Sequence, residues 1–169
     1  LDWLVDGRYA GILRFIRGCD RAFVIGRAAA APAGPERPGA PAFAAYPGLG
    51  GAWRAIRELR AIRYDAALDL QGLIKSAALA RASGAARVIG FSADALRERE
   101  ARFFYSEAAA PEAGAHVVRK NLAPVRALGI EPGPLRFPID APLDERIAGA
   151  LPTPEGGGEF VADGLVVRR

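Results

Sequence analysis

The stretch Tyr64-Asp65-Ala66-Ala67-Leu68-Asp69-Leu70-Gln71-Gly72-Leu73-Ile74-Lys75-Ser76 holds the densest set of side chains able to do chemistry. Tyr64 to Leu70 reads as a strand, and a helix follows from about Leu73 to Ser83, closed by Gly84. Asp69 and Gln71 then fall at the strand's carboxyl end, Gly72 permits a tight turn, and Lys75 stands on the first helical turn. Polar groups so arranged shape the edge of a cleft. The same residues also suit a structural end, with Asp69 and Gln71 capping free helix amides and Lys75 solvated. His116 is the one histidine, so a multi-histidine metal site is excluded and a Ser-His-Asp triad would have only that imidazole. A helix start or a packing position competes with any direct role for it. No metal site is expected, and the glycine-rich phosphate loops and the paired-histidine zinc motif are missing.

Elements on either side must position this segment. Leu1 to Val5 and Ala22 to Ile25 read as short apolar strands, with Arg27 just past the second. Between them Ile12, Phe15 and Ile16 recur at helical spacing before Gly18. From Ala28 to Gly51 the chain is nearly all Ala, Pro and Gly, which predicts a mobile loop. Trp53, Ile56, Leu59 and Ile62 give an amphipathic helix whose arginines lie on other faces and are solvated. Arg87 to Phe91 is a further strand. Val117 to Leu128 is a helix that Pro124 must kink or divide, ended by Gly129. Leu135 to Ile139 reads as extended, Asp144 to Leu151 as a short helix, Pro152 to Gly158 as a linker and Phe160 to Val167 as a strand. Strands alternating with helices imply an α/β, Rossmann-like fold with a mostly parallel sheet and helices on both faces, whose ligands bind at the strands' carboxyl ends.

With 169 residues and 51% apolar side chains, the chain suffices for one domain with a core and leaves no room for a second complete one. The net charge of +4 comes almost wholly from arginine, because Lys75 and Lys120 are the only lysines. GC-rich coding would give such a bias by itself; a basic surface suited to phosphate or carboxylate is the other reading. The arginines are scattered without a basic helix, so nucleic acid is not an expected partner. The lone Cys19 forms no internal disulfide and matches a reducing cytoplasm, and no apolar run approaches the roughly 18 to 20 residues needed to span a bilayer.

The run Y-D-x-x-L-D-x-Q-G-L-x-K-S-A closely resembles a segment of the lipopolysaccharide heptosyltransferases, glycosyltransferase family nine, particularly the type I enzymes that add the first heptose to inner-core Kdo. The resemblance extends through Leu1 to Val5, Val88 to Phe91, Arg97-Glu98 with Phe103-Phe104-Tyr105, and His116 to Asn121, covering about residues 1 to 140. It implies the N-terminal, acceptor-side lobe of a two-lobed GT-B enzyme. There an acceptor of Kdo-bearing lipid A meets ADP-L-glycero-D-manno-heptose held by the other lobe. It also implies inversion at the anomeric carbon through a carboxylate base, with no obligatory metal because basic residues neutralise the leaving diphosphate.

Carried onto this chain, Arg97 matches an arginine that contacts the anionic acceptor, Lys120 a second basic position and Arg27 a third, with Lys75 beside them. Asp69, Gln71, Gly72 and His116 shape the cleft. A surface ion pair with Glu98 or Glu100 is the competing explanation for Arg97. The expected catalytic aspartate sits in an S-x-G-D loop that would precede Leu1, and the donor lobe would follow about residue 160. Residues 1-140 are therefore expected to form an acceptor-side domain lacking its first strand and carrying the 28-51 loop, with 141-169 as an interdomain linker and the start of the donor side. Transfer by this polypeptide alone is not expected. The place of action implied is the cytoplasm, with peripheral contact at the inner membrane's cytoplasmic face. Two alternatives stand: another family member such as heptosyltransferase II, and a non-catalytic remnant that binds anionic glycan.

Overall fold

The computed structural model describes residues 1–27, 29–32, 38–48, 50–134, 160–162 and 165–167. The expected extended segment, short helix and linker between 135 and 158 lie outside them. Two compact units emerge, one built on Leu1–Ala52 and one on Trp53–Pro134.

In the first unit β1 (Asp2–Asp6), β2 (Arg21–Gly26) and β3 (Ala42–Pro47) form a parallel sheet in that order, with Leu4 opposite Phe23 and Phe23 opposite Ala44. Ala22, Phe23, Val24 and Ile25 are all buried, as a central parallel strand covered on both faces requires. β3 corrects the expectation of a loop throughout 28-51. Its alanine-rich composition hid two aromatic rings: Tyr46 is buried and stacks on Phe23 with centroids 6.1 Å apart, while Phe43 packs against Ala10, Val24 and Ala29. Those rings supply the apolar burial that composition alone denied. The β1–β2 connection also differs from expectation. It is a 3-10 helix, Ala10–Phe15, that buries Ala10 and Leu13 three residues apart and leaves Ile12 half exposed.

In the second unit α1 (Gly51–Ile62) leads to β4 (Ala66–Leu68), α2 (Ile74–Ala82), β5 (Arg87–Phe91), the 3-10 helix Arg99–Phe104 and β6 (Glu107–Ala109). The strands again run parallel, in the order β4-β5-β6. Gly84, at a φ of +75°, ends α2 where the sequence placed a stop. Val88, Ile89 and Phe91 are buried, and Ile89 packs with Ala109 and Ala123 beneath Leu68, Ala127 and Leu128. Burial of each such large apolar side chain is worth about 1.5–3 kcal/mol. The expected helix over 117–128 is divided into α3 (Val117–Lys120) and α4 (Ala123–Ala127), with Pro124 in the first turn of α4, where no amide hydrogen is needed. Among the described residues six strands pair in parallel, and the α/β Rossmann-like class read from the sequence holds. Phe160–Ala162 and Leu165–Val167 (β7 and β8) form an antiparallel pair where a single strand was expected.

β6 was not foreseen, and its lateral anchor is an ion pair. Arg87 places Nε 2.6 Å from Glu107 Oε1 and Nη2 2.7 Å from Oε2, and the same Nη2 donates to the Ala127 carbonyl at 2.7 Å. The guanidinium's hydrogen bonds hold the Glu107 carboxyl below the usual glutamate range. A folded-state value below the unfolded one means the pair's contribution is present above about pH 4.3 and is lost as the pH falls through the folded value. Glu107→Gln is therefore expected to flatten part of the acid limb in a plot of urea midpoint against pH. An unchanged acid limb would rule this assignment out.

Candidate functional site

The loop between β4 and α2 is organised around one buried carboxylate. Asp69 is 4% exposed, and its backbone N–H continues the ladder to the Ile89 carbonyl at 2.9 Å. Asp69 Oδ1 accepts from the backbone N–H groups of Gln71 (2.9 Å) and Gly72 (3.3 Å), while Oδ2 accepts from Ser76 Oγ (2.9 Å) and from the Tyr105 hydroxyl (2.7 Å). Four donors on two oxygens satisfy the charge without a cation. Burial first, and then the hydrogen bond to Asp69, raises the Tyr105 phenol well above its ordinary value. Tyr105 reaches Asp69 by crossing the face of Gly90, the position in β5 with no side chain to obstruct the ring.

A second loop, after β5, is stitched to the first. Gly72 adopts a φ of +67°, and a Cβ there would meet Leu96 Cδ2 at 3.1 Å and the Arg97 amide nitrogen at 3.5 Å. The Glu98 N–H donates to the Gly72 carbonyl at 3.1 Å, and Glu98 Oε2 accepts from the Ile74 N–H at 2.7 Å. That last bond satisfies one of the free amides at the start of α2. Glu98 is thus used as a cap, and no ion pair joins Arg97 to Glu98 or Glu100 among the described residues. Lys120, partly buried, donates from Nζ to the Ala95 carbonyl and stands 4.8 Å from the centroid of Phe91, the last residue of β5. Its ammonium holds the loop that carries Arg97.

Asp69, Gln71, Gly72, Lys75, Arg97 and Lys120 therefore gather at the carboxyl end of the second sheet, the end where ligands bind in such folds. Gln71, Lys75 and Arg97 are exposed there, whereas Asp69 and Gly72 are buried beneath them. Arg27 is exposed just past β2 and belongs to the first unit. His116 is exposed at the start of α3, where its Nδ1 accepts from the Val118 N–H at 3.4 Å, a helix-start role.

This loop pair lies within residues 52–145, which match the model of glycosyltransferase family 9 (heptosyltransferase) over more than half of the chain. The chain belongs to glycosyltransferase family 9. A 70-residue segment is 39% identical to lipopolysaccharide heptosyltransferase 1 of Pseudomonas aeruginosa, covering 41% of this chain and 20% of that protein. The E. coli heptosyltransferase WaaC solved with ADP-2-deoxy-2-fluoro heptose shares the fold over 80% of this chain and 40% of its own, with a TM-score of 0.59 at 23% identity. The same enzyme solved with ADP gives 0.56 at 24% identity, again over 80% of this chain and 39% of its own. The chain thus spans about two fifths of the solved structures that it matches, as a Rossmann-like α/β part of a family 9 glycosyltransferase.

Three residues of this site escaped sequence reasoning: Tyr105, Ser76 and Glu98, each acting on the β4–α2 loop. Gly90 was the available signal, since a glycine inside a buried strand often marks the close approach of another group.

Proposed function

We propose that this chain is the acceptor-side part of an inverting heptosyltransferase that moves L-glycero-D-manno-heptose from ADP-heptose to the Kdo of lipid A. The joining of the Gly72 turn to the Arg97 segment supports this reading, because it ties the two loops that carry the exposed Lys75 and Arg97 together at the carboxyl end of the sheet. A guanidinium offers paired donors of fixed geometry to carboxylate or phosphate, and a Kdo-bearing lipid A presents both. The identity to heptosyltransferase 1 favours the type I acceptor. In this reading an acceptor hydroxyl, deprotonated by a carboxylate, displaces ADP from the anomeric carbon with inversion. This chain's residues bind and orient the acceptor, and basic groups rather than an obligatory metal neutralise the diphosphate. The donor, ADP-heptose, is bound mainly by the other lobe. The work is done in the cytoplasm, at the inner membrane's cytoplasmic face.

Binding of deacylated Kdo-lipid A to the chain, followed by calorimetry, tests the proposal. Arg97→Ala is expected to weaken binding about tenfold, the scale of one charge-assisted hydrogen bond in a solvated site. Arg81→Ala, exposed in the last turn of α2, is expected to leave it unchanged. Equal affinity for wild type and Arg97→Ala would remove the basis of the assignment.

A further inference from the structure

We propose that Glu98 is a positioning residue of the acceptor site, a strap that acts on the anionic ligand through Arg97 and does not touch the ligand itself. The role rests on the acceptor reading given above. Glu98 follows Arg97 directly in the chain, and its Oε2 accepts from the N–H of Ile74, the residue just before Lys75. A negative charge is thus fixed at the loops whose cations would attract an anion, and it repels that anion. Neutralisation of Arg97 does not account for the charge, because Glu98 makes no ion pair with Arg97 among the described residues.

Stability does not account for it either. The bond from the Ile74 N–H is exposed, and water would serve a free amide at a solvated helix start in its place. What water would not do is join two loops 24 positions apart in the chain. Glu98 joins them twice, by its carboxylate on Ile74 and by its own N–H on the Gly72 carbonyl at 3.1 Å. Further back the same loop is held at the Ala95 carbonyl by the Lys120 ammonium, so Arg97 lies between two fixed points. A guanidinium on a backbone held before the ligand arrives loses less freedom on binding, and the saving appears as affinity.

Calorimetry of the full chain with deacylated Kdo-lipid A separates strap from charge by the sign of the change. Removing a carboxylate that only repels the ligand should tighten binding, whereas removing the strap should weaken it. Glu98→Ala is expected to weaken binding about three- to tenfold, with a urea midpoint close to that of wild type because the side chain is exposed. Glu98→Gln keeps an oxygen for the Ile74 N–H and drops the charge, so it is expected to bind at least as tightly as wild type. In an Arg97→Ala background, Glu98→Ala is expected to change affinity by less than about twofold, because the strap acts through Arg97. Unchanged or tighter binding by Glu98→Ala, an equal loss for Glu98→Gln, a loss that persists without Arg97, or a loss matched by a fall in urea midpoint would each overturn the role. Wild-type affinity in Arg97→Ala would remove the acceptor reading and the strap together, whereas a weakened Arg97→Ala beside an indifferent Glu98→Ala would remove the strap alone.

Discussion

Gly90→Ala is expected to destabilise the second unit by about 3–5 kcal/mol, a large share of a domain's usual margin of about 5–15 kcal/mol. A Cβ at this position would stand 2.2 Å from both Cε2 and Cζ of the Tyr105 ring and 2.6 Å from Cδ2. No rotation of the ring about its own axis relieves a contact that close, so the ring must leave the face of β5. Forcing extra bulk into packed space costs about 1–3 kcal/mol. Removing the Tyr105 hydroxyl from the buried Asp69 carboxylate costs about 1.5–3 kcal/mol more. Tyr105→Phe keeps the ring and loses only the second of these, so a drop of about 2 kcal/mol is expected for it. Urea unfolding of the whole chain reads both effects as shifts in midpoint. Since the clash requires the ring, Gly90→Ala should cost far less in a Tyr105→Ala background, a strong non-additivity between touching residues. Simple additivity, or a Gly90→Ala midpoint equal to that of wild type, would contradict the close approach.

Where local chemistry decides structure, the sequence announced it. β5 was read at its observed bounds from its apolar run, α2 closed at a glycine with positive φ as expected, and Pro124 did divide the helix around it. Elements decided by distant partners were hidden. Glu107-Ala108-Ala109 has little strand preference, yet Ser106 N–H bonds Val88 O at 2.8 Å and Ser92 N–H bonds Ala109 O at 2.9 Å, so the neighbouring strand imposes β6. β3 was masked by alanine and proline although Phe43 and Tyr46 were visible within it. The site divides along the same line. The turn chemistry of Asp69, Gly72 and Lys75 could be read within seven residues, whereas the Tyr105 hydroxyl lies 36 positions from Asp69 and the Glu98 cap 24 from Ile74. Lys120 entered through the family resemblance as a second basic position, and its contacts with Ala95 and Phe91, 25 and 29 positions away, were not legible in the sequence.

Asp69→Ala and Asp69→Asn are expected to part company, and the gap between them defines what the carboxylate does. Alanine leaves the Gln71 and Gly72 amides, the Ser76 hydroxyl and the Tyr105 hydroxyl without their acceptor, at a cost of about 3–4 kcal/mol given that some of these groups can reach water. The β4–α2 turn then loses its hold on the loop that carries Arg97, and affinity for the proposed acceptor should fall at least about tenfold with the drop in urea midpoint. Asparagine keeps a carbonyl oxygen for the two amides and turns its NH₂ toward two hydroxyl groups, each of which can accept as well as donate. Its cost should be about 1 kcal/mol, with affinity nearly retained. With the negative charge gone, the Tyr105 phenol should titrate lower than in wild type while staying above its ordinary value, because burial is the larger cause of its rise. A group that acts directly on the ligand would behave otherwise: Asp69→Asn would lose acceptor binding as fully as Asp69→Ala while its urea midpoint stayed near that of wild type. That outcome would turn Asp69 from an anchor of the rim into a participant in it.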